Sequence, residues 1–141
     1  MRSEGPVAHE DGQVGQRHFE RILGGLGVQD VLFAEGSRPH EYGTSVRTYD
    51  AGEGIWRVVW MQPEGGEFAA LVARADGDEI LQEGRPLNGE GDRLERWRFV
   101  DLTKDTFTWL GEASDDGGRT WRLEQRMDAR RMAVDAHLAA T

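Results

Sequence analysis

The stretch T-S-V-R-T-Y-D-A-G-E-G-I-W-R-V-V-W-M-Q, residues 44–62, decides the fold. Two runs rich in β-branched and aromatic residues flank A-G-E-G (51–54), which has the composition of a turn between strands. Side chains alternate between the two faces of a strand, so a four-residue loop fixes which residues face each other. The expected pairs are Ser45 with Trp60, Arg47 with Val58, and Tyr49 with Trp56. This hairpin therefore has one face that carries two tryptophans beside Arg47 and Tyr49.

The same pattern repeats along the chain, because 19 glycines separate short runs of strand-forming residues. We predict strands at Val14–Leu23, Val28–Ala34, Thr44–Asp50, Ile55–Gln62, Glu67–Ala75, Glu79–Glu83, Leu94–Asp101, Thr106–Ala113 and Thr120–Asp128. Strands without helices between them pair antiparallel and bury one face. The prediction is an all-β, up-and-down antiparallel barrel of about eight or nine strands.

The two ends of the chain differ from this pattern. Residues 1–13 are acidic and glycine-containing and are predicted to be a loose N-terminal segment, so residues 14–141 form the single barrel domain. The tail A-R-R-M-A-V-D-A-H-L-A-A, from Ala129, has good helix formers with Met132, Ala136 and Ala139 at helical spacing. A short C-terminal helix is expected there.

Charge and composition exclude several functions. The 141 residues carry a net charge of −9, from 17 Lys and Arg against 26 Asp and Glu, which disfavours nucleic acid or an anionic membrane as a partner. The chain has no cysteine, and we find neither a signal peptide nor an apolar run of transmembrane length. These features predict a cytoplasmic protein.

Metal and cofactor motifs are also missing from the sequence. The four histidines, His9, His18, His40 and His137, are dispersed and show no metal-binding spacing. Phosphate-binding and serine-hydrolase motifs are absent as well, so no metal and no cofactor is predicted. His18, beside Phe19 in a predicted strand, is a weak candidate for proton transfer.

Several strand faces combine aromatic and polar side chains in a way that suits a small-molecule cavity. Some charged residues fall in the middle of predicted strands. Arg47 is expected to face the inside of the barrel together with Tyr49, whereas Arg98 and Glu124 are expected to face water. A barrel packed solid with aromatic residues is the alternative. The candidate ligand-binding residues are Arg47, Tyr49, Trp56, Trp60, Trp97, Trp109, Trp121 and Gln125.

The segment S-D-D-G-G-R-T-W (114–121) matches the Asp box, Ser-x-Asp-x-Gly-x-Thr-Trp, of sialidase-type propellers. It occurs once in a chain too short for a propeller, so it predicts a turn and not a glycosidase. A five-residue loop, Asp115–Arg119, would set Trp109 opposite Gln125 and Phe107 opposite Met127, and we predict an odd-length or bulged loop of this kind. That register predicts that Trp109 and Trp121 share the inner face.

The runs W-R-V-V-W-M-Q-P (56–63), R-W-R-F-V-D-L-T (96–103) and F-T-W-L-G-E-A (107–113), with the turn that follows, resemble a bacterial family of calycin, or lipocalin-like, barrels of unknown function. The resemblance spans roughly residues 15–131 and implies an antiparallel barrel with an internal pocket. Such proteins begin with an additional strand that this chain is expected to lack, which would leave an edge for a possible homodimer. Haem-binding barrels of this class need an axial histidine, and only His18 or His40 is available.

Two functions follow from these patterns. The first is binding of a small apolar or aromatic molecule in the barrel lumen. The alternative is a cofactor-independent cyclase or isomerase of a polyketide-like natural-product intermediate, with Arg47, Tyr49 or His18 as catalytic candidates. A third hypothesis is an interaction domain with a packed core.

Overall fold

The computed structural model of the chain describes residues 3–9, 14–89 and 91–132, and for residues 3–9 only the backbone is described. Within these residues the protein is all-β. Three 3-10 turns, at Leu23–Gly25, Pro39–Glu41 and Pro63–Gly65, interrupt the strands. The strands are β1 (Ser3–His9), β2 (Val14–Ile22), β3 (Gly27–Ala34), β4 (Gly43–Asp50), β5 (Ile55–Gln62), β6 (Glu67–Asp76), β7 (Glu79–Pro86), β8 (Leu94–Val100), β9 (Thr106–Ser114) and β10 (Arg122–Arg130).

The strands form one up-and-down antiparallel barrel. From β2 to β10 each strand pairs with the next one along the chain, and β1 lies between β2 and β10, which closes the sheet. The prediction of an all-β antiparallel barrel is confirmed, and β2 to β10 correspond one to one to the nine predicted strands.

The ends of the chain depart from the prediction. The segment 1–13, expected to be loose, contributes β1, whose backbone pairs with both β2 and β10. Its sequence is a weak strand former, but the free backbone groups of two neighbouring strand edges offer it partners. At the other end Ala129 and Arg130 belong to β10, and the rest of the expected helix, from residue 133, lies outside the described residues.

The hairpin 44–62 has the predicted register, with Ser45 opposite Trp60, Arg47 opposite Val58 and Tyr49 opposite Trp56. This face is the barrel interior, where Val58 is 1% exposed. Two glycines on the inner face make room for indole rings. A Cβ on Gly43 would lie 2.1 Å from the Trp60 ring, and one on Gly111 would lie 2.6 Å from the Trp109 ring. Glycines beside these rings, Gly43 on the strand next to Trp60 and Gly111 on the same strand as Trp109, thus allow large aromatic groups inside a narrow barrel.

The apolar core has two parts. One cluster joins β8, β9 and β10 through Phe99, Trp109, Met127 and Ala129. The other joins β5 and β6 through Val58, Ala69, Leu71 and Ala73. Trp97 packs against both clusters, so it connects the two sides of the interior.

The register of the β9–β10 hairpin differs from the prediction. The turn shifts the pairing by one residue, so that Leu123 lies opposite Glu112, and a bulge between Leu123 and Gln125 adds a second residue. Trp109 therefore lies opposite Met127, two residues further along β10 than expected. Because the shift is two residues, Gln125 still follows the inner face, opposite Gly111. The predicted inward position of Trp121 is wrong, since this residue precedes β10 and stacks on Arg96 of the outer face at 4.1 Å.

The turn 114–121 is held by its own side chains. The Ser114 hydroxyl accepts hydrogen bonds from the backbone N–H groups of Asp116 and Gly118, at 3.3 and 2.9 Å. The Asp116 carboxylate accepts from the backbone N–H and the hydroxyl of Thr120, at 2.9 and 2.6 Å. The Trp121 indole N–H donates to the Gly118 carbonyl at 3.1 Å. The prediction that this segment forms a well-bonded turn is confirmed.

We expect the Asp116 carboxyl to titrate far below its ordinary value. Hydrogen bonds from the Thr120 hydroxyl, the Thr120 backbone and Ser114 lower the pKa of Asp116 to about 2. Because the folded pKa is lowered, this carboxylate stabilises the fold above about pH 3.9, and the contribution is lost as pH falls towards 2. The measurement is a carboxyl titration by NMR. Thr120→Val should raise the pKa of Asp116, and Thr103→Val, in a remote turn, should not.

Candidate functional site

A cluster of polar side chains lies buried inside the barrel, between its two ends. Asp30 of β3 is at its centre and is fully buried. The Arg17 guanidinium of β2 forms an ion pair with the Asp30 carboxylate at 2.6 Å, and Arg47 of β4 forms a second one at 3.3 Å. The backbone N–H and the hydroxyl of Ser45 also donate to Asp30. Two arginines therefore share a single carboxylate, and the cluster carries one net positive charge.

Arg47 extends this cluster to the opposite wall. Its Nη1 donates to the Ser45 hydroxyl at 2.8 Å, and its Nε donates to Oε1 of Gln82 at 3.1 Å. Gln82 of β7 is fully buried. The ring of Phe99 lies 5.2 Å from the Arg17 guanidinium and 5.7 Å from that of Arg47, close enough for both cations to interact with its face.

The cluster shifts the pKa values of its members. Burial opposes ionisation of Asp30, but the charges of Arg17 and Arg47 and the hydrogen bond from Ser45 outweigh it, so its pKa lies below the ordinary value. Burial lowers the pKa of Arg47, the charge of Asp30 opposes this change, and the charge of Arg17 adds to it. A guanidinium stays protonated at neutral pH even so. The interior thus holds a fixed, incompletely compensated cation.

A wide cavity of about 540 Å³ adjoins Arg47. It lies at the end of the barrel that contains the 51–54 turn, and its volume falls within the range of about 300–1,000 Å³ usual for small-molecule pockets. Its described lining is mainly apolar and consists of Phe19, Val28, Trp56, Ala73, Ala75, Ile80, Phe99, Leu102 and Phe107, with Arg47 and Arg74 as the charged members.

A narrower cavity of about 220 Å³ lies towards the opposite end, on the side of Arg17. Trp60, Trp97 and Trp109 contribute to its walls. At its mouth Arg93 pairs with Glu124 at 2.6 Å and with Glu95 at 3.3 Å. Glu124 occupies the β10 bulge, so the extra residue brings a carboxylate to this opening. Burial raises the pKa of Glu95, and Arg93 opposes that change.

The structure distributes the predicted site residues over different places. Arg47 and Trp56 line the wide cavity, whereas Trp60, Trp97, Trp109 and Gln125 line the narrow one. Tyr49 is 51% exposed and packs against Trp56 with ring centroids 5.4 Å apart. The eighth predicted residue, Trp121, lies on the outer face as described above.

The histidine candidates lie away from the interior. His18 pairs with Val31 on the outer face of β2 and β3, where its ring stacks on Phe33 at 5.5 Å. His40 is exposed in the Pro39–Glu41 turn. The outer position of Arg98 agrees with the expectation, since it donates to Glu112 at 2.8 Å on the same face as Arg96. Glu124 is exposed, as expected, and the bulge places it at the mouth of the narrow cavity.

Four members of the polar cluster were not among the predicted site residues: Arg17, Asp30, Ser45 and Gln82. Asp30, Arg17 and Gln82 each occupy a strand position that alternates with apolar or glycine neighbours on the inner face. Asp30 lies between Val28 and Leu32 in this alternation, which is the signal that identifies a buried carboxylate in a strand. Its significance depends on Arg17 and Arg47, whose positions on two other strands complete the ion pairs.

No family model matches this chain, and no curated protein matches it at a significant level. Among the described residues there is no helix of the length and apolar character needed to cross a membrane. The assignment of a function therefore rests on the geometry of the interior.

Proposed function

We propose that the protein binds a small, largely apolar molecule in the wide cavity. The observation that carries this proposal is the pairing of a cavity of about 540 Å³ with an aromatic and aliphatic lining and a buried guanidinium at its inner end. Burial of apolar surface supplies the affinity, at roughly 25 cal/mol per Å² removed from water, and a few polar groups fix the orientation.

Binding is favoured over a cyclase or isomerase activity by the chemistry of the lining. The described side chains around this cavity are apolar groups and guanidinium groups, which orient and polarise a ligand but do not accept a proton at neutral pH. The cyclase or isomerase hypothesis stays a prediction, in which Arg47 would polarise a carbonyl group.

We also infer that the chain is a calycin-like barrel. The consecutive antiparallel hairpins and the internal cavity support this inference. Members of such a class hold ligands inside the barrel, in agreement with the proposed location of the site.

Filling the wide cavity should abolish binding. Val28→Trp places an indole among the cavity-lining residues, so we expect titration with a panel of apolar fluorescent probes to show at least a tenfold weaker affinity than in the unaltered protein. Val59→Trp is the matched control, because Val59 lies on the outer face of β5, opposite Val46. Equal probe affinity in the two variants would place the binding site elsewhere.

A further inference from the structure

Three buried donor atoms inside the barrel have no hydrogen-bond partner among the described residues. They are Nη2 of Arg47, Nε2 of Gln82 and Nε1 of Trp109. An unpaired buried donor is costly, and most buried polar groups in folded proteins have a partner. All three groups need an acceptor, and two of them belong to side chains that are hydrogen-bonded to each other.

The orientation of the Gln82 amide follows from its neighbour. Its oxygen accepts from Nε of Arg47, and the opposite orientation would bring two donors together. The amide N–H₂ group is therefore the free end. Arg47 has used Nε and Nη1 in the cluster, and Nη2 is the remaining corner of its guanidinium. These two side chains present donors without a matching acceptor.

The charge of the cluster points to the same chemistry. Asp30 is shared between Arg17 and Arg47. The carboxylates of the narrow cavity lie on the Arg17 side, whereas the described lining of the wide cavity contains none, so Arg47 has no carboxylate of its own. Uncompensated buried charge is unfavourable, and a carboxylate bound by charge-assisted hydrogen bonds would relieve it. The overall charge of −9 affects the rate of encounter at long range, but it is screened beyond about 8 Å at physiological ionic strength.

We propose that the ligand of the wide cavity is an apolar carboxylic acid, bound with its carboxylate on Arg47 and its apolar part among Phe99, Phe107 and Trp56. This inference rests on the proposed function, since Arg47 is the buried cation that lines that cavity. The carboxylate balances the charge of Arg47 and supplies an acceptor for its free Nη2.

The test compares decanoate with decan-1-ol by titration calorimetry at pH 7.5. We expect the unaltered protein to bind decanoate at least tenfold more tightly than the alcohol, as one charge-assisted hydrogen bond implies. Arg47→Met should remove this preference, because it removes the cation that the carboxylate binds. Gln82→Glu keeps Arg47 and gives it an internal carboxylate, so it should also remove the preference. Arg57→Met, on the outer face beside Asp50, is the control and should retain it.

Each other outcome contradicts one of the two proposals. Equal binding of acid and alcohol to the unaltered protein overturns the acid preference and leaves apolar binding in place. If Arg74→Met loses the preference for the acid and Arg47→Met retains it, the carboxylate binds at the cavity rim, which also overturns the inference. Failure of both compounds to bind contradicts the proposed function itself.

Discussion

Replacement of Asp30 by asparagine is expected to lower the free energy of unfolding by about 3–5 kcal/mol, because it leaves two buried guanidinium groups without a counter-charge. This loss is a large part of the roughly 5–15 kcal/mol that stabilises a typical domain. Asparagine preserves the size of the side chain, so the effect reports the charge and not a cavity. Urea unfolding at pH 7 measures it.

The pH dependence gives a second check on Asp30. Because the pKa of this carboxyl is lower in the folded protein, its contribution is fully present above its unfolded value of about 3.9 and is lost as pH falls through the folded value. The stabilities of the unaltered protein and Asp30→Asn should therefore converge in acid.

Asp50→Asn is the matched control for Asp30→Asn. Asp50 pairs with Arg57 at 2.8 Å in an exposed position, and asparagine retains an acceptor for the turn N–H groups of Gly52 and Glu53. Exposed ion pairs add little to stability, so the unfolding curve should change far less than for Asp30→Asn. Similar losses in the two variants would show that the buried ion pairs do not carry the predicted energy.

Gly84→Ala is expected to destabilise the barrel by about 3 kcal/mol, at the upper end of typical overpacking effects. A Cβ at Gly84 of β7 would lie 1.9 Å from the carbonyl oxygen of Ala70 and 2.6 Å from the Cα of Leu71. These are backbone atoms of the neighbouring β6, which is held by hydrogen bonds on both edges, so they have little freedom to move away. Thermal and urea unfolding measure the loss.

Gly52→Ala is the control for Gly84→Ala. Gly52 lies in the 51–54 turn, and its Cβ would meet only the Asp50 side chain at an ordinary distance of 3.4 Å. We expect a change within about 0.5 kcal/mol, as for most surface substitutions. If Gly84→Ala were as stable as this control, β6 and β7 would be able to move apart without lowering the free energy of unfolding.

The sequence predicts the fold well because local signals determine it. The composition of the turn 51–54 gives the length of the loop, and this length fixes the register of β4 against β5. The inner face of the two strands follows from that register. The 114–121 turn was recognised as a turn, but the β10 bulge is invisible in the alternation of side chains. For that reason the prediction places Trp121 on the wrong face.

The interior site is harder to predict than the fold. Arg47 was identified as inward-facing from its own hairpin, whereas Asp30, Arg17 and Gln82 gain their meaning from contacts between strands distant in sequence. Closure of the barrel brings these side chains together. The alternation around Asp30 points to the inner face, but the ion pairs that make it part of a site involve strands that the sequence alone does not bring together.

The three indoles at the narrow cavity form a continuous chain across the interior. The ring centroids of Trp60 and Trp97 are 6.1 Å apart, and those of Trp97 and Trp109 are 5.6 Å apart. At these separations the strong electronic transitions of the rings couple, so the far-ultraviolet circular dichroism of the folded barrel should contain an exciton component. Trp121 lies on the outer face and is not part of this chain of rings. The optical spectrum of the protein therefore contains contributions from tryptophans inside the barrel and from one outside it.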